Sequence, residues 1–220
     1  MKKTLIVFIG LLMASCVPTR YCQVYQTKPI SDVKMQDDAL VFEDDNCIVY
    51  YDFWKENGEI GFKFFNKTLE YVYLPLEECF YVENGCAFDY CQDKPQIVVP
   101  PKTLRVITKF NIKNQIYRSC DLLLHPGKKD PNSLVFSVED TPLRFGNIIS
   151  YHVGDSKEII RVINEFYVSG ITNCESNQIA KRVRDEICGI KQNYSIWVYK
   201  EPKPDRFYIW HDEGTAYFKY

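Results

Sequence analysis

Histidine is scarce: three residues in 220, at His125, His152 and His211. The chain also has no G-x-S-x-G elbow, no H-E-x-x-H helix and no glycine-rich phosphate loop. A nucleophile needs a base within hydrogen-bonding reach and a third group to orient it, so these absences leave no catalytic residue to name. No C-x-x-C pair exists, which removes the usual spacing of a zinc site, and no cofactor motif is present. Basic excess is missing as well. With 27 Lys and Arg against 29 Asp and Glu the net charge is −2, a balance that invites neither nucleic acid nor an anionic membrane surface.

Aromatic residues are abundant instead: 16 Tyr, 14 Phe and 3 Trp, in a chain that is 46% hydrophobic and 25% charged. That is a globular balance, and bulky flat side chains favour a pleated, half-buried surface. The stretch Tyr50–Tyr90 states the pattern most plainly, with apolar and polar residues alternating between Asn57-Gly58 and Asn84-Gly85. Asn-Gly tolerates positive φ at both central positions of a type I′ turn. Two-residue turns there predict Asp52 opposite Lys63 and Phe53 opposite Phe62, then Val82 opposite Ala87 and Tyr81 opposite Phe88. Asn66-Lys67-Thr68 marks a further reversal.

Other runs read the same way. Ala39–Phe42 and Cys47–Trp54 flank the polar cluster Glu43–Asn46, and Gln96–Val99 and Leu104–Ile112 flank Pro100-Pro101. Arg144–Val153 and Glu158–Val168 flank Gly154–Lys157, with strand-like stretches again at Tyr194–Tyr199 and Arg206–Trp210. Ser176–Cys188 differs, because Ile179, Ala180, Val183 and Ile187 recur at helical spacing and Gly189 follows. The fold expected is mainly β: an antiparallel β-sandwich, immunoglobulin-like or related, with one short amphipathic helix at 176–188 near the C-terminus.

The N-terminus carries Lys2 and Lys3, an apolar run from Leu5 to Met13 too short to span a bilayer comfortably, and small residues before Cys16. This is the layout of an export signal over residues 1–15. Met13-Ala14-Ser15-Cys16 resembles the lipobox of bacterial lipoproteins, which implies cleavage before Cys16 and lipid on its thiol, a membrane partner through Cys16. Two or more acyl chains hold a protein durably on a bilayer. Loss of residues 1–15 removes two lysines and no acid, taking the net charge from −2 to −4. Residues 16–31 show no periodicity and read as the lipidated cysteine and a tether, leaving one domain over 32–220.

With those stretches laid out, the chain resembles a group of uncharacterised lipoproteins of Bacteroidetes bacteria that carry a domain of unknown function. The matching blocks are YYDFW, GFKFFNKT, FYVENGCAFDY, VPPKT, YRSCDLLLHP, TPLRFGNIISYHVGDS and NEFYVSGITN, spanning roughly Tyr50–Asn173. The resemblance implies a lipid-anchored protein of the cell envelope and supplies no catalytic residues. Surface-exported lipoproteins of that phylum often carry acidic residues after the lipidated cysteine. Val17-Pro18-Thr19-Arg20 has none, which favours an outer-membrane lipoprotein facing the periplasm over the cell surface.

Eight further cysteines, at 22, 47, 79, 86, 91, 120, 174 and 188, permit disulfides in an exported chain, but the sequence cannot choose among 105 pairings. Of the tryptophans, Trp54 reads as core, whereas Trp197 and Trp210 in the less regular tail are the candidates for an exposed aromatic patch that stacks on a glycan or a partner protein. The function expected is a ligand- or partner-binding β-sandwich module at the envelope. An envelope hydrolase and a structural subunit of an envelope complex are the alternatives.

Overall fold

The structure, a computed structural model, describes residues 20–90, 95–108, 110–112 and 133–212. The first strands are β1 (Arg20–Pro29), β2 (Lys34–Gln36), β3 (Ala39–Glu43), β4 (Cys47–Tyr51) and β5 (Phe62–Asn66). There follow β6 (Val72–Pro75), a 3-10 turn at Leu76–Glu78, β7 (Phe80–Glu83), β8 (Cys86–Asp89), β9 (Gln96–Val99) and β10 (Leu104–Ile107). The last group is β11 (Ser133–Val135), β12 (Arg144–Val153), β13 (Ile160–Glu175), the one-turn helix α1 (Ser176–Ile179), β14 (Ala180–Ile187), β15 (Ile190–Tyr199) and β16 (Arg206–Asp212). The protein is mainly β, and among the described residues the pairings between these strands are antiparallel, as its aromatic alternation predicts.

The larger sheet runs β16-β1-β13-β12-β6-β9, with β11 added to β13 and the β7–β8 hairpin to β12. The smaller runs β10-β5-β4-β3-β2. Alternate residues of the two sheets meet in one core. From the smaller sheet come Val49, Tyr51, Phe62 and Phe64, and from the larger Phe145, Ile149, Tyr151 and Phe166. Rings cross the interface edge-on, Tyr51 to Phe166 at 5.2 Å and Phe64 to Tyr151 at 5.5 Å, a geometry that adds to simple area burial. The loop between β3 and β4 is tied to the other sheet by Asp44. Its Oδ1 accepts the backbone N–H groups of Asn46 and Cys47, while Oδ2 accepts the Tyr151 hydroxyl at 2.7 Å.

At Asn84-Gly85 the register is the expected one, Val82 with Ala87 and Tyr81 with Phe88. At Asn57-Gly58 it is not. Both residues have positive φ, yet the strands close at Tyr51–Phe62 and Tyr50–Lys63, two residues short of the expected pairing, and residues 52–61 form a wide loop. That loop is diverted because it is stitched elsewhere. Asn57 N–H donates to the Tyr208 carbonyl, Tyr208 N–H to the Lys55 carbonyl and Ile112 N–H to the Gly58 carbonyl.

Two further expectations are corrected. Residues 20–29 belong to the domain and not to a tether: β1 lies inside the larger sheet, between β13 and β16. Its core-facing side carries the polar Gln23 and Thr27, buried on either side of Tyr25, while Cys22 is buried in a cluster on the other face, so no hydrophobic alternation marks it as a strand. The helix at 176–188 is only one turn long. From Ala180 to Ile187 the chain is a strand paired with β15 around Cys188-Gly189, both at positive φ. Spacings of four satisfy a helical and a strand period alike, so Ile179, Val183 and Ile187 could not separate the two.

Candidate functional site

The outer face of the larger sheet carries a second, smaller apolar cluster, separate from the main core. Cys22, Ile179, Ala180 and Tyr208 are its buried members, with Val24, Trp54, Tyr199 and Trp210 packed around them. Sheet register builds the floor, since Cys22 sits beside Trp210 and Val24 beside Tyr208. The loop after β4 brings in Trp54. Its backbone N–H donates to Asp52 Oδ1 at 3.0 Å, and the neighbouring Phe53 N–H donates to the Pro204 carbonyl. The rings interlock: Trp54 lies 5.4 Å from Tyr199 and 5.2 Å from Tyr208, Tyr199 lies 4.7 Å from Tyr208, and Trp210 Nε1–H donates to the Tyr199 hydroxyl at 3.4 Å. Burial, and then the hydrogen bond with Tyr199, push the Tyr208 hydroxyl well above its ordinary pKa, so it stays neutral.

Beside this cluster opens a cleft of about 350 Å³, whose walls include Gln26, Trp54, Thr172, Lys200, Glu201 and Arg206. Trp54 Nε1 and Arg206 Nε are buried and make no hydrogen bond within the protein. Asp205 Oδ1 lies 3.9 Å from Arg206 Nε. Buried donors without hydrogen bonds are uncommon and call for a reason. An indole N–H, a guanidinium, an ammonium and a hydroxyl around an aromatic wall can bind a polar ligand that brings acceptors, and Glu201 supplies an acceptor in return.

Trp210 is thus part of an aromatic cluster, half-buried and packed against β15. Trp197 is paired with Arg182 in the separate β14–β15 hairpin, and its side chain lies outside the described residues. Trp54, expected in the main core, is instead half-buried in the outer cluster and becomes the aromatic wall of the cleft. The other cleft residues, from Gln26 to Arg206, are too far apart in the chain for local pattern to associate. Cys16, Cys91, Cys120 and His125 lie outside the described residues, as does the His211 side chain.

Two other clefts border the larger sheet. One, of about 380 Å³, has walls of Ile30, Val82, Ile148 and Ile163 with Arg144 and Glu165 at hand. The other includes His152, Asp155 and Ser156. There the His152 ring stacks on Tyr73 at 4.9 Å and its Nδ1 faces the Gly154 carbonyl at 3.1 Å. The Ser156 hydroxyl accepts the Glu158 N–H, so neither group is engaged as a nucleophile–base pair. Among the described residues no group of three His, Cys, Asp or Glu side chains could hold a metal ion, and no helix is long and apolar enough to cross a membrane. Comparison with family models, curated proteins and solved structures finds no match for the chain.

Proposed function

We propose that the protein is a lipid-anchored binding module of the bacterial cell envelope, held to the outer membrane by acyl chains on Cys16 and facing the periplasm. Its ligand is a glycan bearing acidic groups, taken up in the cleft beside Trp54. The observation that carries this reading is a cleft of about 350 Å³ lined by Trp54 and Arg206, two residues whose Nε1 and Nε donors are buried and have no hydrogen bond within the protein. Aromatic faces suit the C–H faces of sugars, and a guanidinium suits a carboxylate. The anchoring half is supported by the charged, apolar and small segments that precede Cys16.

Binding is preferred to hydrolysis because the His152 ring is spent on Tyr73 and the Gly154 carbonyl. The test is titration of the full-length lipoprotein with acidic and neutral oligosaccharides, followed by tryptophan fluorescence. Trp54→Phe, which keeps an aromatic wall and removes the N–H, and Arg206→Gln should each weaken the acidic ligand about tenfold, one hydrogen bond's share of affinity. Unchanged affinity in both variants overturns the ligand assignment. Palmitate labelling that persists in Cys16→Ala overturns the anchor.

A further inference from the structure

The β14–β15 hairpin is a two-stranded sheet that adds to neither of the larger ones. Two strands alone are marginal in water, so such an element needs something to lie against. On β15 Ile190, Tyr194, Ile196 and Val198 are all exposed, with Ile190 at 68% and Tyr194 at 53%, and the register shifts between Lys191 and Ser195. Across the ladder Val183 pairs with Ile196 and Lys181 with Val198, two pairs that share one face. At the tip Ile187 opposes Ile190, and Ile187 is 51% exposed. Tyr194 is oriented by its hydrogen bond to Asp185, which raises its pKa.

The charges are unlike those of the rest of the chain. Within the hairpin Lys181, Arg182, Arg184 and Lys191 stand against Asp185 and Glu186, a net charge of +2, whereas the whole chain is acidic by two. The position is equally specific. Tyr199 meets Trp210 and Tyr208, while Lys200 and Glu201 line the cleft with Gln26 and Arg206. Because Cys22 pairs with Trp210 and Gln26 with Arg206, the chain leaves β15 heading away from the Arg20 end of the sheet. Traced backward, the hairpin therefore comes from the Arg20 side. Its tip is nine residues from Tyr199, about 30 Å of strand.

We infer that this hairpin lies against the bilayer, its basic side chains on anionic phospholipid headgroups and Ile187 and Ile190 in the interface. The inference rests on the proposed anchor at Cys16, which only three residues separate from Arg20. Four peptide steps reach about 14 Å, so the lipid holds that end of the domain close to the membrane. A second copy is the poorer occupant, because a twofold contact would set basic hairpin on basic hairpin. Apolar residues beside basic ones are the composition of an interfacial membrane contact.

The turn itself supplies a reporter, since Cys188 is exposed. Cys86 supplies a control: it opposes Glu83, which pairs near Phe145 and so near the Pro29 end of β1, opposite to Arg20. The full-length lipoprotein is reconstituted in phosphatidylethanolamine vesicles with and without phosphatidylglycerol and carries an environment-sensitive fluorophore on Cys188 or on Cys86, the site verified by peptide mapping. Nitroxide lipids should quench the Cys188 label, more so with phosphatidylglycerol, and should leave the Cys86 label unquenched. Paired Ile187→Asp and Ile190→Asp should abolish the quenching while circular dichroism is unchanged. Intact mass reports the acyl chains on Cys16 separately. An acylated protein whose Cys188 label stays in water overturns the hairpin contact and leaves the anchor standing, whereas an unmodified Cys16 overturns both. A Cys188-linked dimer on a non-reducing gel would replace the membrane with a second copy.

Discussion

Asn164 on β13 donates from Nδ2 to the Tyr51 hydroxyl on β4 at 2.8 Å, joining the two large sheets through their shared interior. Both residues are buried, Tyr51 at 1% exposure. Asn164→Leu removes one of the two amides that hydrogen-bond to that hydroxyl, Asn147 being the other, and should cost about 1 kcal/mol, the net worth of one buried hydrogen bond. Thermal denaturation would register this as a fall of roughly 2–4 °C for each kcal/mol. Tyr51→Phe combined with Asn164→Leu should cost less than the two single changes together, because it removes both partners. Simple additivity would show that the bond does not couple the sheets.

Alkaline pH should unfold the protein through groups buried in their neutral form. Burial pushes the Cys79 thiol up to about 11 from 9.0, and raises Cys47, Tyr51 and Tyr90 further above their ordinary values. In the unfolded chain these groups release protons at lower pH than in the folded one. Their contribution is therefore complete below about pH 9 and declines as pH rises through the folded values. Denaturant midpoints measured between neutral pH and about pH 11 should fall, with Cys79→Ala flattening the early part of the decline. A midpoint insensitive to alkali would contradict the burial of these groups.

Gly146 on β12 has no room for a side chain. A Cβ there would stand 2.2 Å from the Asn164 carbonyl oxygen and 3.0 Å from the Glu165 Cα, both backbone atoms of β13. Gly146→Ala should separate the central strands and cost about 3 kcal/mol or more, at the top of the range for overpacking. At the Asn84-Gly85 turn a Cβ meets nothing within 4 Å, so Gly85→Ala should cost only about 1–2 kcal/mol through its positive φ. Yield of folded protein and melting temperature would rank the two variants.

Thiol reactivity should divide the described cysteines. Cys86 and Cys188 are exposed and should take up maleimide at once, whereas Cys47 and Cys79 are fully buried and should react only after unfolding. Peptide mapping of the labelled protein with and without denaturant would check this. Early labelling of Cys79, whose Sγ lies 3.5 Å from the Ser150 carbonyl, would mean that β12 opens locally.

Legibility in the sequence followed how local each determinant is. The Asn84-Gly85 hairpin is legible to the residue because its turn type fixes its register, and the contacts of Asn84 with Pro142 and Arg144 on the β12 side leave that register unchanged. Asn57-Gly58 has the same chemistry, but Tyr208 and Ile112 claim the backbone around it, and those partners are more than fifty residues away. β1 escapes a pattern reading because two of its buried residues, Gln23 and Thr27, are polar, and β13 runs on past Val168 because its last residues pair with β1. Within the candidate site, Trp210 was recognisable as an aromatic of an irregular tail. Trp54, Lys200 and Arg206 meet Gln26 and Thr172 only through sheet pairing and the stitched loop, which no short-range pattern encodes.

The place of β1 between β13 and β16 decides how the protein answers to force. Tension applied at Arg20 acts along the strand, so the hydrogen bonds on both flanks resist sliding together instead of opening one at a time. The pairings with β13 and with β16 must both yield before the N-terminal end can be drawn away. An edge strand in that position would peel under a far smaller load.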